Sequence, residues 1–146
     1  MSEEYPPEFA RGILNSNYLI NENLPDANLF FDFKKNDRTD GYAELSINWV
    51  DNEKAITILK DQKKKESETL QYSCGVGLFL TDELRRLCVS NSYCKNALCY
   101  ERKPIDGNEF HGNLLLIEEI NSNKEKKRIK NMIAATIATN CFSRIE

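Results

Sequence analysis

Alternating apolar and polar residues mark one segment of the chain clearly as a β-strand. Between Tyr42 and Val50, apolar residues occupy every second position from Ala43 to Trp49, and polar residues separate them. A period of two places the apolar side chains on one face of a strand and the polar side chains on the other. Shorter alternating or apolar runs predict four further strands: Leu29 to Lys34, Leu70 to Leu80, Ala97 to Lys103 and Phe110 to Ile117.

The segment that follows Asp51-Asn52 fits two periodicities. Two isoleucines and a threonine favour a strand over Ala55 to Lys60, which would pair as a hairpin with the preceding strand. The apolar positions also fit helical spacing, so a helix over Glu53 to Lys65 is the alternative. Further along, the loop Pro104 to Glu109 contains an Asp-Gly-Asn turn sequence, which predicts a hairpin between the two strands that flank it.

Helical spacing occurs in two segments. Thr81 is followed by two acidic residues and an apolar stripe, which predicts the start of a short helix. Lys124 to Phe142 repeats apolar residues every three or four positions, which predicts an amphipathic helix capped by Ser122 or Asn123. Phe9 to Ile20 follows neither period and stays unassigned.

These elements predict an α+β fold. We expect a single antiparallel sheet of five or six strands, built from hairpins and covered on one face by the C-terminal helix and the short mid-chain helix. A chain of 146 residues suits one domain, with residues 1–8 as a loose polar lead. No internal repeat and no linker divides it.

Composition bears on the compartment more than on the activity. A hydrophobic fraction of 40% suits a globular protein, and a net charge of −3 favours no class of partner. We expect no secretory leader, because the N-terminal residues are acidic and polar, and no apolar run reaches the ~18–20 residues that a membrane helix needs. With an odd number of cysteines, five, we expect free thiols in a cytoplasmic protein. Neither nucleotide-binding glycine motif occurs, so no cofactor is expected.

The only histidine, His111, lies on the second strand of the predicted hairpin. Pairing Lys103 with Phe110 would place four polar side chains on one face of the sheet, because directly opposite residues share a face: Tyr100, Arg102, His111 and Asn113. In this patch His111 would serve as acid or base, Arg102 would bind an anion and Tyr100 would orient a substrate. Gly112 would leave room for a ligand or another backbone. The alternative is an ordinary solvated strand face.

A zinc site is the weaker interpretation of the cysteines. Its four candidate ligands would be Cys88, Cys94, Cys99 and His111. No closely spaced cysteine pair occurs among them, and Cys99 is expected to face the core while His111 faces away from it. We therefore expect buried free thiols and no bound metal.

The start of the last predicted helix is strongly basic. Its cations are Lys124, Lys126, Lys127, Arg128 and Lys130. Positive charge is unfavourable at the positive end of a helix dipole, which hints at a reason for the cluster such as contacts with phosphate groups. The alternative is a charged outer face that keeps the protein soluble.

Because no complete catalytic set is visible, we expect a non-catalytic cytoplasmic binding or accessory protein. Such a protein would act through contacts with another protein or with itself, in a homo-oligomer or a larger complex. Four aromatic residues exceed the needs of the core and are expected to face outward: Phe30, Tyr42, Tyr72 and Tyr100. The alternatives are a small enzyme or ligand-binding protein that uses the hairpin patch for an anionic small molecule or nucleotide, and a nucleic-acid binder that uses Lys124 to Lys130.

Overall fold

An antiparallel sheet of six strands forms the centre of the protein. The computed structural model describes residues 5–90, 98–117 and 123–146, without the side chains of 87–90 and 123–126. The strands in chain order are β1 (Glu8–Gly12), β2 (Leu19–Asn21), β3 (Leu24–Pro25), β4 (Tyr42–Trp49), β5 (Val76–Leu80), β6 (Leu98–Arg102), β7 (His111–Ile117) and β8 (Phe142–Ile145). The sheet has the order β6-β7-β4-β1-β5-β8, and β2 pairs with β3 separately. The predicted α+β class and its large antiparallel sheet are confirmed.

Helices lie on both faces of this sheet. They are α1 (Lys54–Asp61), α2 (Thr81–Ser90) and α3 (Asn123–Thr136), and α3 continues into a π-helical turn at Ile137–Cys141. The short mid-chain helix α2 and the C-terminal helix α3 share the main core with the sheet, as predicted. None of the described helices is long and apolar enough to cross a membrane.

The main core lies between the sheet and the helices α2 and α3, on what we call the core face. Phe9, Trp49 and Phe79 come from three neighbouring regions of the sheet and are fully buried there. The ring centroid of Phe9 lies 6.1 Å from that of Trp49 and 5.6 Å from that of Phe79. Leu114 and Leu116 of β7 join the same cluster, as their alternation predicts. Apolar burial of this kind is the main favourable term in folding.

The opposite face, here the second face, is covered by α1, which contacts β1, β4 and β5. Ile56 and Leu59 of α1 pack on Ala10, Val76 and Leu78 in a smaller cluster. The predicted strand over Ala55 to Lys60 is therefore wrong, and the helix alternative is right. The helix buries more apolar surface than the strand would, because helical spacing places Ala55, Ile56 and Leu59 together against the sheet.

The predicted strand from Leu29 to Lys34 is wrong as well. Ala27–Phe30 forms a 3-10 turn, which begins where the Asp26 side chain accepts a hydrogen bond from the backbone N–H of Asn28 at 2.9 Å. Leu29 and Phe30 are adjacent and are both buried, which a half-buried strand does not allow. Only Lys34 bridges to the sheet, opposite Glu44.

The sequence patterns missed both strands that pair with β5. β1 lies in the unassigned and loose segments, and β8 begins at Phe142, directly after the π-helical turn that ends the last helix. The strand predicted from Leu70 begins only at Val76. Both missed strands have five residues or fewer and pair with β5 across long chain separations, so no local pattern marks them. The proposed cap Ser122, the Asn123 side chain and residues 1–4 lie outside what the structure describes.

Gly112 on β7 lies beneath the indole of Trp49. The indole Nε1 donates a hydrogen bond to the backbone oxygen of Glu101 on β6, at 3.1 Å. A Cβ atom added at Gly112 would collide with Trp49 Nε1 and with that same oxygen. The space at this glycine is therefore occupied by the protein's own tryptophan and not by a ligand.

We predict that Gly112→Ala lowers the free energy of unfolding by about 1–3 kcal/mol, because the buried indole has to shift. Urea denaturation monitored by tryptophan fluorescence measures the change. Ser143→Ala, at an exposed position on β8, is the control and should stay within about 0.5 kcal/mol of the native chain. Equal stability of the two variants would contradict the tight fit at Gly112.

Candidate functional site

The hairpin of β6 and β7 has a register one residue away from the predicted one. Arg102 lies opposite Gly112 and Glu101 lies opposite Asn113, while the Lys103 N–H donates to the His111 carbonyl at 2.9 Å. A slip of one residue moves every side chain of a strand to the other face. The predicted patch is therefore divided: Tyr100 and Arg102 lie on the core face, and His111 and Asn113 lie on the second face. Cys99, expected in the core, shares the second face with His111.

Tyr100 and Arg102 are engaged by neighbouring side chains. The Arg102 guanidinium forms a bidentate ion pair with Asp51, at 2.8 and 2.9 Å, and lies 5.5 Å from the ring centroid of Tyr5. The Tyr100 hydroxyl accepts a hydrogen bond from Arg85 Nε at 3.0 Å. These contacts join the segment at Tyr5 to the edge of the sheet. Both residues act there as packing and pairing groups.

His111 is held in one orientation by the protein. Its Nδ1 lies 2.8 Å from the Lys103 carbonyl oxygen, and its Nε2 lies 3.3 Å from Ser46 Oγ. A carbonyl oxygen only accepts, so Nδ1 carries the proton and donates. In the neutral ring, Nε2 then accepts from the Ser46 hydroxyl. This contact is long for a hydroxyl donor, so both groups keep capacity to bond a ligand.

Beside this pair lies a cavity of about 170 Å³ on the second face, here called the inner cavity. It lies where α1, β1, β4 and the loop before β7 meet. Seven residues with polar side chains line it: Arg11, Ser46, Asn48, Gln62, Tyr72, Asn108 and His111. Of the predicted patch, only His111 lines it. Polar groups that converge on one concave wall are a common feature of ligand sites.

Arg11 is the residue that the sequence reasoning missed. It lies on β1, past the point at which β1 stops pairing with β4, and its side chain bridges the gap between them. Its Nε donates to the Leu29 carbonyl oxygen at 2.6 Å and its Nη1 donates to the Ser46 carbonyl oxygen at 2.7 Å. A single charge within the run Phe9-Ala10-Arg11-Gly12-Ile13 is the signal that could have marked it, because a cation in an apolar strand needs a partner.

No carboxylate forms a salt bridge with Arg11 in the described part of the chain. Its Nη2 makes no hydrogen bond to a described residue and is not sealed from solvent. Desolvation lowers the pKa of the Arg11 guanidinium, and Tyr72 and Asp32 offset part of that effect. The Arg11 guanidinium is thus a positive charge in a partly desolvated wall, and the N–H groups of its Nη2 can donate to a ligand.

Two asparagines fix the shape of the inner cavity. Asn48 is buried, and its amide donates to the Ala55 carbonyl oxygen of α1 at 2.9 Å. The Asn108 amide in turn donates to Asn48 Oδ1 at 2.7 Å, which ties the loop to the sheet. The Tyr72 ring packs against Gly12, where a Cβ would overlap it, and burial raises the pKa of Tyr72. The cavity is therefore preformed by bonds within the protein.

Asn113 belongs to a second polar cluster, centred on Arg38. The Arg38 guanidinium pairs with Asp40, Glu44 and Glu101 at 2.7, 2.9 and 2.6 Å. The Asn113 amide donates to both Glu44 and Glu101, at 3.0 Å each. The hydrogen bond from Arg38, followed by that from Asn113, holds the pKa of Glu101 below its ordinary value. Each charge already has a partner, so the Arg38 cluster holds the loop before β4 to the sheet.

The described cysteines are free thiols that do not converge. Cys74 and Cys99 are half-buried and Cys141 is buried. Burial raises the pKa of Cys99, which keeps it protonated. In the described residues, no three histidine, cysteine or acidic side chains are grouped as metal ligands would be. The Cys88 side chain and Cys94 lie outside the description, so the zinc set as a whole is not placed.

Two other predicted surfaces are described in part. Lys127 and Arg128 are exposed, Lys130 Nζ donates to the Phe33 carbonyl oxygen at 3.3 Å, and the side chains of Lys124 and Lys126 lie outside the description. Nucleic-acid binding there stays a prediction.

The four aromatics expected to face outward do not form such a surface. Phe30 is fully buried, so its predicted exposure is wrong, and Tyr42, Tyr72 and Tyr100 are half-buried. Phe30 belongs to the buried part of the 3-10 turn, and Tyr72 lies in the wall of the inner cavity. Protein–protein contact stays a prediction without the exposed aromatic face that motivated it.

We predict that Arg38→Gln lowers stability by about 2 kcal/mol at pH 7, because partly buried carboxylates lose a charged donor. The lowered pKa of Glu101 stabilises the fold above the ordinary glutamate pKa of about 4.3, and that contribution is lost as the pH falls through the lowered value. The deficit of the variant should therefore shrink below about pH 4. Urea denaturation between pH 7 and pH 3 tests this.

The control for this series is Arg144→Gln, which breaks more exposed pairs with Glu8 and Glu146. It should cost less than about 1 kcal/mol at pH 7. A deficit for Arg38→Gln that stays constant down to pH 3 would contradict a stabilising role of its carboxylate pairs.

Comparison with known proteins adds no relative to this picture. Neither the family models, nor the curated proteins, nor the solved structures give a significant match to this chain. The function of the protein therefore has to be inferred from its own residues, and the inner cavity is the place where they offer an incompletely bonded charge.

Proposed function

We propose that this protein is a binding protein for a small anion, which it holds in the inner cavity. The observation that carries the proposal is the Arg11 guanidinium. It stands in the cavity wall without a carboxylate partner among the described residues, and its Nη2 edge is not bonded. A positive charge in a partly desolvated wall gains most from an anion, since the electrostatic interaction is less screened there than in water.

The surrounding groups supply the rest of an oxyanion site. The Ser46 hydroxyl lies next to His111 in the wall and can turn from its long contact with Nε2 to donate a hydrogen bond to a ligand oxygen. Asn48 and Asn108 are fixed by their own bonds and shape the pocket without rearranging. Because Arg11 is held by two carbonyl oxygens, little side-chain freedom is lost on binding.

The other charged clusters of the described chain are poorer candidates. Arg38 already meets three carboxylates, and Arg102 already meets Asp51 through two hydrogen bonds. An incoming anion would have to displace a carboxylate in either place. The ligand-binding alternative of the sequence analysis is thus kept, but its arginine is Arg11 in place of Arg102, and His111 is its only member in the cavity wall.

We predict that Arg11→Gln weakens the binding of acetate and inorganic phosphate by a factor of about 10–100, because a hydrogen bond to a charged group contributes about 1.5–3 kcal/mol. Amide chemical-shift titrations at constant ionic strength measure the affinity. Arg86→Gln is the matched control, because Arg86 is an exposed arginine on α2. Its titration should match that of the native chain.

Arg11 also bonds two backbone carbonyls, so the variant could lose stability. The native protein therefore provides a second test. Its shifts should be confined to residues 10–12, 46–48, 72 and 108–111. Shifts that cluster at the basic start of α3, or the absence of saturable shifts for either anion, would rule out the inner cavity as the binding site.

A further inference from the structure

A second, more open hollow adjoins the inner cavity. It lies between α1 and the loop that joins β6 to β7, has a volume of about 580 Å³ and is here called the outer groove. Gln62, Ile105 and Asn108 line both spaces. A ligand whose charged end lies in the inner cavity would therefore reach the outer groove with the remainder of its length.

Apolar side chains stand on both walls of the outer groove. Ile58 comes from α1, and Ile105 comes from the loop opposite, where half of its surface is exposed. An isoleucine left this open at a loop tip loses contact with water when an apolar group covers it. The loop already has its folded conformation without a ligand, because Ile105 and Asn108 exchange backbone hydrogen bonds at 3.0 and 3.1 Å.

The charges at the outer groove oppose those of the inner cavity. Asp61 and Asp106 line the groove together with a single cation, Lys54. A second negative charge on the ligand would meet these two carboxylates, and like charges disfavour such an arrangement. An uncharged aliphatic tail would meet Ile58 and Ile105 instead.

We infer that the anion is an aliphatic monocarboxylate, with its carboxylate against Arg11 and its chain along Ile58 and Ile105. This inference rests on the proposed function and adds the chemical class of the ligand. The two spaces have different roles. The inner cavity binds the carboxylate, and the outer groove contacts the tail, so the length and polarity of the tail determine the affinity.

Titration of the native protein with acetate, butyrate, hexanoate and octanoate tests the inference. Each methylene group that becomes buried should raise the affinity up to about four-fold, so hexanoate should bind well over ten-fold more tightly than acetate. Adipate, which has the length of hexanoate but a second carboxylate, should bind more weakly than hexanoate. The amide shifts should extend from the inner cavity to residues 57–62 and 104–107.

Ile58→Gln tests the groove itself, since glutamine keeps the helix propensity and the length of the side chain but removes its apolar character. The affinities of the four acids should converge toward that of acetate in this variant. Ile20→Gln is the control at an exposed isoleucine elsewhere, and it should keep the dependence on chain length.

The outcomes separate this inference from the proposed function. If all four acids bind the native protein equally, the outer groove has no role and only a small anion site remains. If Ile58→Gln keeps the full dependence on chain length, the tail lies elsewhere and the inference is also overturned. If neither acetate nor phosphate binds, the proposed function fails together with it.

Discussion

The contact between the Trp49 indole and Gly112 is the constraint on which the arrangement of the sheet depends. Glycine is the one residue that lets the buried indole reach the Glu101 carbonyl oxygen across the backbone of β7. Its neighbours on the strand are His111 and Asn113, and a shift by one residue would place either side chain beneath the ring. The contact therefore selects one register for three strands, β4, β7 and β6, and with it the face on which each polar group lies.

That register combines with incomplete coverage of the second face to create the site. α1 covers β1 and β5 with apolar residues, but it meets β4 through the buried polar side chain of Asn48. Polar groups on this face are satisfied by hydrogen bonds of Asn48, Asn108 and the Arg38 cluster. Arg11 closes the place where β1 and β4 separate. The regular pairing of β1 and β4 thus ends beside a charged side chain, and the proposed anion site lies at this position.

The sequence predicts those parts of the fold that depend on local periodicity. The strand at Tyr42, the helix start at Thr81 and the hairpin strands follow from their own residues. The hairpin register did not follow, because counting residues across Pro104 to Glu109 does not reveal that the indole needs a glycine beneath it. The strand β8 and the 3-10 turn at Ala27–Phe30 depend on distant partners and on burial, which a periodicity cannot show. The sequence singles out His111 as its only histidine, whereas the position of Arg11 depends on strands that separate in three dimensions.

The position of β5 between β1 and β8 has a consequence for how the molecule reaches this structure. The two partners of β5 come from opposite ends of the described chain, at residues 8–12 and 142–145. Closing such wide loops costs conformational entropy before any contact compensates for it, so folding of this topology is slow compared with that of helical proteins of similar size. During translation, the outer edge of β5 stays unpaired until residues 142–145 leave the ribosome. In that interval the chain exposes an unpaired apolar strand edge, which is prone to pairing with other exposed strands.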